Sequence, residues 1–167
     1  MRGHIRRESR ALSTEKALDI IRTAECGVLA TINAQNQPCT VSLNHVLIGD
    51  NTLYFHCGPE GEKLDNIRNN PEVSYFVTGE SEVIYEQFTT SFSSAVIHGK
   101  AVIVDDAAEK LMALTALVDR FSDDSIPSDV VTKFINDGVD VVTIFKIEAE
   151  FITGKARPTK TRPCLSY

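Results

Sequence analysis

Residues 28–57 read VLATINAQNQPCTVSLNHVLIGDNTLYFHC. Three apolar runs, VLATI, CTVSLNHVLI and TLYFH, are separated by turn formers at 33–38 and 49–51. Strands joined by connections this short must run antiparallel, because a parallel return needs a long crossover.

Toward the N-terminus, Ser13 precedes TEKALDIIRTAE, where Ala17, Leu18, Ile21 and Ala24 recur at helical spacing. The spacing predicts a helix over about 14–25, stopped by Gly27. Toward the C-terminus, Gly-Pro-Glu-Gly at 58–61 gives way to KLDNIRN, a short helix with Leu64 and Ile67 inward and Pro71 ending it. EVSYFVT, SEVIYEQF and AVIHGKAVIVD read as three further strands. Leu111, Leu114, Leu117 and Val118 mark a helix over 107–121, and Pro127 opens another that reaches Ile135. VDVVTIFKIEAEFIT reads as a final pair of strands. Six or seven mainly antiparallel strands with a few helices give an α+β domain on an antiparallel barrel or sandwich. The expected organisation is one domain over 1–167, with 1–12 and 156–167 extended or mobile.

A hydrophobic fraction of 43% and a charged fraction of 24% are those of a globular chain, and the net charge of -6 argues against a nucleic-acid partner. Arg2, Arg6, Arg7 and Arg10 near the start, and Lys155, Arg157, Lys160 and Arg162 near the end, read as solvated termini. No apolar leader or membrane-length run is present, so a cytoplasmic protein is expected. Cys26, Cys39, Cys57 and Cys164 form no CxxC pair, so no metal site is expected, and in a reducing compartment they are free thiols. Cys26 and Cys39 are expected as buried small hydrophobes, and His45 and His98 as ordinary strand residues.

The corner at 53–71, LYFHCGPEGEKLDNIRNNP, carries the chemistry. Strand alternation points His56 and Cys57 to opposite faces, which excludes a Cys-His hydrolase pair. GPEGEK also lacks the GxxxxGK[ST] spacing of a Walker loop. What remains is a helix N-terminus with free N–H groups, glycines at 58 and 61 that let a ligand approach, and Lys63 in the first turn. A cation there opposes the helix dipole and an anion resolves the conflict, so a phosphate is one reading. A solvated lysine balanced by Glu60 and Glu62 is the other.

Taken together, VLATI, the YFH-to-NNP block and FTTSFSSAVIHGKA resemble the pyridoxamine 5'-phosphate oxidase-like FMN-binding split barrels, and within them the 5-nitroimidazole-resistance flavoproteins. The likeness spans about residues 10–155. It implies a six-stranded antiparallel Greek-key split β-barrel with flanking helices, forming a homodimer with FMN at the subunit interface. It places flavin contacts on Val41, Ser42, Leu43 and Asn44, on Phe55 and His56, and on Ser94. Counting back from the Asn-Pro that ends the helix puts Gly61, Glu62 and Lys63 where the oxidases carry a phosphate-binding Ser-Arg-Lys triplet, and only the lysine is kept. Glu62, together with Ser93 in place of a basic residue, thins the phosphate clamp. The family's C-terminal substrate motif is not recognisable in ITGKARPTKTRPCLSY, so vitamin B6 oxidation is not expected. His56 is the candidate catalytic residue, as proton donor to a reduced substrate or tuner of the ring, or else a mere cofactor contact.

The function so implied is an oxidoreductase that passes electrons from a reduced donor to a small acceptor such as a nitroaromatic or quinone. A non-catalytic flavin- or haem-binding module, or a ligand-free structural or regulatory dimer, are the alternatives.

Overall fold

The computed structural model describes residues 5–123 and 125–157, so Cys164, Lys160 and Arg162 lie outside the described residues. Eight strands and four helices alternate along the chain: β1 (Ala11–Leu12), α1 (Thr14–Thr23), β2 (Cys26–Ile32), β3 (Pro38–Asn44), β4 (Val46–Ile48), β5 (Thr52–Cys57), α2 (Glu62–Asn69), β6 (Glu72–Ile84), β7 (Thr89–Ile103), α3 (Ala107–Phe121), α4 (Ser128–Gly138) and β8 (Thr143–Arg157). Within the N-terminal arm expected to be extended or mobile, residues 8–10 form a 3-10 turn and the extended β1 pairs with β8.

The sheet runs β3-β2-β6-β7-β8-β5-β4, every pairing antiparallel. β3 and β4 lie at opposite ends of that order, yet one residue, His45, separates them in the chain. The sheet must therefore curl until its two edges meet, which makes the split barrel. The sequence reads CTVSLNHVLI as a single strand, and the structure breaks it at this seam. With β3 and β4 taken as one interrupted run and two-residue β1 set aside, the eight strands reduce to the six expected.

Two other expectations are corrected. The two strands expected before and after Gly79 are one strand, β6, which passes that glycine through a bulge between Thr78 and Ser81. The final pair is also one strand, because Val139 to Val142 belong to the end of α4 and the turn after it, and β8 absorbs its irregularity opposite the His98/Gly99 step. α1 is capped as expected, with the Lys16 amide donating to Ser13 Oγ at 3.3 Å, but it ends at Thr23, and Gly27 sits inside β2.

Two apolar clusters flank the sheet. Inside the barrel, Leu29, Leu53, Phe55, Tyr75, Ile97 and Phe145 pack with α1 and with Leu64 and Ile67 of α2. Outside it, Leu114 and Leu117 of α3 and Ile135 of α4 cover Tyr54 and Ile144. α3 is held down by polar contacts too: Tyr54 Oη donates to Glu109 Oε1 at 2.7 Å, and Lys146 Nζ donates to the same oxygen at 2.9 Å. Those contacts hold the Glu109 carboxyl below its usual value, first through the Lys146 hydrogen bond and then through Tyr54.

Candidate cofactor-binding site

β3 carries its candidate residues on two faces. Cys39, Val41 and Leu43 are half-buried and turn inward, whereas Thr40, Ser42 and Asn44 are exposed. β5 divides the same way. Phe55 is fully buried, its ring stacked on Phe145 at 4.8 Å and edge-on to Tyr75 at 5.0 Å, while His56 is exposed. The side chains of Val41 and Leu43 pack against the core and that of Phe55 lies within it, so these three offer a ligand their backbone. β3 pairs only with β2, and β5 pairs with β4 only as far as Tyr54, so both strands keep an edge free of ladder partners among the described residues.

β5 leads through residues 58–61 into α2. Gly61 holds φ at +141°, a conformation L side chains rarely adopt, and it turns the chain into the helix. Its carbonyl accepts from the amides of Leu64 and Asp65, which leaves the Glu62 and Lys63 amides without a backbone acceptor among the described residues. Lys63 Nζ lies 3.8 Å from where a Cβ on Gly61 would sit, so the ammonium folds back over the start of its own helix. A pocket of about 240 Å³ opens there, lined by Thr31, Thr40, Val41, Lys63 and Asn66 together with Glu62. Buried Asn66 is fixed by donating from Nδ2 to Thr31 Oγ1 at 3.0 Å. Glu62 accepts from the Cys39 thiol at 3.1 Å, and that hydrogen bond pushes the Cys39 thiol above its usual value. Burial raises Cys57 as well, against the nearby Lys63 charge. Neither is a ready thiolate. Cys26 is exposed at the start of β2, not buried as expected.

His56 extends the outward face of Tyr54 and lines, with Asn44, a groove of about 450 Å³ against α3 and α4. Leu117, Val118, Phe121, Val131 and Phe134 make most of its wall, and no Asp, Glu, Lys or Arg lines it. Asn44 Nδ2 donates to the Glu25 carbonyl at 2.9 Å. Ser94 faces a third depression, outside β6, β7 and β8, whose lining is shared with neither of the other two. One chain thus brings Gly61, Lys63 and Val41 together and pairs His56 with Asn44, but keeps Ser94 apart. Among the described residues no cluster of His, Cys, Asp or Glu could hold a metal ion, and no helix is long and apolar enough to cross a membrane.

His45 is no ordinary strand residue. It is fully buried at the seam, with Nε2 2.8 Å from the Ile21 carbonyl and Nδ1 3.0 Å from Tyr75 Oη. A carbonyl only accepts, so Nε2 carries the proton and Nδ1 is left as an acceptor, while the single Tyr75 hydroxyl hydrogen has two acceptors in reach, Nδ1 and the Leu43 carbonyl at 2.6 Å. Burial drives the ring's pKa down to about 4. The sequence signal was a histidine between two apolar runs, and it reads as a seam only once β3 and β4 are known to lie on opposite edges.

A family model described as pyridoxamine 5'-phosphate oxidase matches residues 13–156. Among solved structures, a putative 5-nitroimidazole antibiotic resistance protein from Bacteroides thetaiotaomicron is 25% identical, with a TM-score of 0.70 over 87% of this chain and 86% of that one. An FAD-binding protein from Mesorhizobium loti is 22% identical, with a TM-score of 0.61 over 88% and 95%. An FAD- and haem-binding protein from Mycobacterium smegmatis is 15% identical, with a TM-score of 0.69 over 92% and 77%. No curated protein matches the chain.

Proposed function

The chain belongs to the pyridoxamine 5'-phosphate oxidase family, and on that premise we propose that it is a homodimeric, cytoplasmic FMN-binding oxidoreductase that passes electrons from a reduced donor to a small acceptor such as a nitroaromatic or quinone. The observation that carries this reading is the pocket at the start of α2. There the Lys63 ammonium and the uncommitted Glu62 and Lys63 amides lie at a pocket beside the free edge of β3, which Thr40 also lines. This donor set fits a phosphate ester. The Glu62 carboxylate is the opposing charge, and its hydrogen bond from Cys39 gives it a partner other than the ligand.

In this reading Lys63 and the first turn of α2 hold the phosphate, and the backbone of Val41, Leu43 and Phe55 borders the ring. FMN supplies the electron chemistry when bound. His56 holds or gives up a proton at an imidazole nitrogen beside the apolar groove, whose uncharged walls favour a neutral acceptor. Ser94 of the second subunit completes the site, which accounts for its separation from Lys63 within one chain. Exposed Phe121, Ile126, Val130 and Phe134 offer apolar surface for such an association. The free thiols of Cys26, Cys39 and Cys57 suit a reducing compartment. Flavin-binding proteins of the same fold support the cofactor class.

The test is the visible spectrum of the purified protein under anaerobic titration with reduced nicotinamide. A flavin band near ~450 nm that bleaches supports the oxidoreductase; a flavin band that no donor reduces supports a storage or sensing module. One observation favours a haem-binding module as second reading: exposed His56 stands without a hydrogen-bond partner among the described residues at an apolar groove. A Soret band on haem addition that is lost in His56→Ala would establish it.

A further inference from the structure

The groove against α3 and α4, about 450 Å³, is of the size of small-molecule sites, which run from about 300 to 1,000 Å³. Exposed Phe121 and Phe134 give its apolar wall two flat rings, and its polar residues are Asn44, His56 and Ser122. Without a cation or a carboxylate in the lining, neither an anion nor a cation finds its counter-charge there, so the ligand is neutral.

What the three polar residues offer a ligand follows from what they already hold. The Ser122 hydroxyl spends its one hydrogen on the Val118 carbonyl at 2.7 Å, so its oxygen can only accept. Asn44 has one N–H committed to the Glu25 carbonyl at 2.9 Å, which leaves Oδ1 and a single N–H. His56 has no hydrogen-bond partner among the described residues, and its neutral ring carries one donor nitrogen and one acceptor nitrogen. Every one of the three therefore has an acceptor to satisfy. A carbonyl or nitro oxygen only accepts and would leave all of these acceptors unmet, whereas a hydroxyl both donates and accepts.

The structure assigns this groove to a neutral aromatic molecule that carries a hydroxyl group, a phenol, with its ring on the apolar wall and its hydroxyl hydrogen on the free imidazole nitrogen of His56. As a binding site this stands on the groove alone. Its place in turnover rests on the oxidoreductase reading: a quinone that gains two electrons and two protons becomes a molecule of this class, so the groove holds the reduced member of the acceptor couple more tightly than the oxidised one.

The test titrates the full chain with 2-naphthol and with 2-methoxynaphthalene, which keeps the rings and loses the donor, while NMR follows the backbone amides of Leu117, Val118, Val130 and Val131. 2-Naphthol is expected to move these signals and to bind at least tenfold more tightly than its methyl ether. His56→Ala is expected to abolish that preference with the thermal midpoint unchanged. Val130→Glu, which sets a carboxylate on the exposed wall, is expected to weaken both ligands at least tenfold. Silence of these amides toward 2-naphthol overturns the site, as do equal affinities for the two ligands, a preference that survives His56→Ala, or binding indifferent to Val130→Glu. Amides that respond to dilution of the protein but not to 2-naphthol give the groove to a second copy of the chain and overturn it too. Naphthol binding in a chain that holds no reducible flavin would remove the oxidoreductase reading and leave this site standing, and a flavin bleached by reduced nicotinamide in a chain whose groove ignores 2-naphthol would do the reverse.

Discussion

Acidification loosens the barrel at His45, and His45→Gln removes that response. The ring is fully buried, and burial lowers its pKa from 6.5 to about 4, with the Arg120 charge adding to the effect and the Ile21 hydrogen bond opposing it. In the folded state the ring stays neutral throughout that window, whereas the unfolded chain takes up a proton below about 6.5. The unfolded state therefore binds more protons between the two values, and stability falls as pH drops from one to the other. The full loss is roughly 3 kcal/mol, of which roughly 2 kcal/mol is spent by pH 5. Urea unfolding of both proteins at about pH 7.5 and pH 5 measures it, and the comparison cancels the carboxylates the two share. The wild-type chain is expected to lose roughly 2 kcal/mol more than the variant over that interval. Parallel losses in the two proteins would refute the seam as a neutral, proton-excluding contact.

Phe55→Ala opens a void between Phe145 and Tyr75 and is expected to cost about 3–5 kcal/mol by urea unfolding, whereas His56→Ala, one residue on and exposed, stays within about 0.5 kcal/mol. Gly99→Ala places a methyl on the Glu148 carbonyl oxygen of the facing strand, so its thermal midpoint falls, with a cost of about 1–3 kcal/mol or more. Asp106→Ala removes the side chain that accepts from the Glu109 amide at 2.8 Å at the start of α3 and is expected to cost about 1 kcal/mol in the same assay.

The sequence shows what depends on neighbours along the chain. The bounds of α3 follow from its apolar spacing and coincide with residues 107–121, although Leu111, one of the residues that mark it, is 44% exposed and Ala113 is buried in the core. α2 and its positive-φ glycine are equally local. What stayed hidden depends on closure. Gly79 reads as a break because glycine usually ends a strand, yet β7 holds β6 together across it. His45 becomes a seam only when β3 and β4 meet, and Arg6 becomes part of a groove only when the N-terminal segment lies over β7 and β8, some 150 positions away from Lys155. The candidate contacts divided likewise: alternation along β3 and β5 separates Ser42, Asn44 and His56 from Val41, Leu43 and Phe55, and motif position alone gives no hint that Ser94 lies apart from Lys63.

The central claim, that the start of α2 holds a flavin by its phosphate, is tested most directly by titrating the flavin-free protein with FMN and with riboflavin and following flavin fluorescence. FMN is expected to bind at least tenfold more tightly than riboflavin, and Lys63→Glu to weaken FMN at least tenfold, about 1.4 kcal/mol, while leaving riboflavin unchanged. Equal affinity for the two flavins, or FMN binding indifferent to Lys63→Glu, would contradict it.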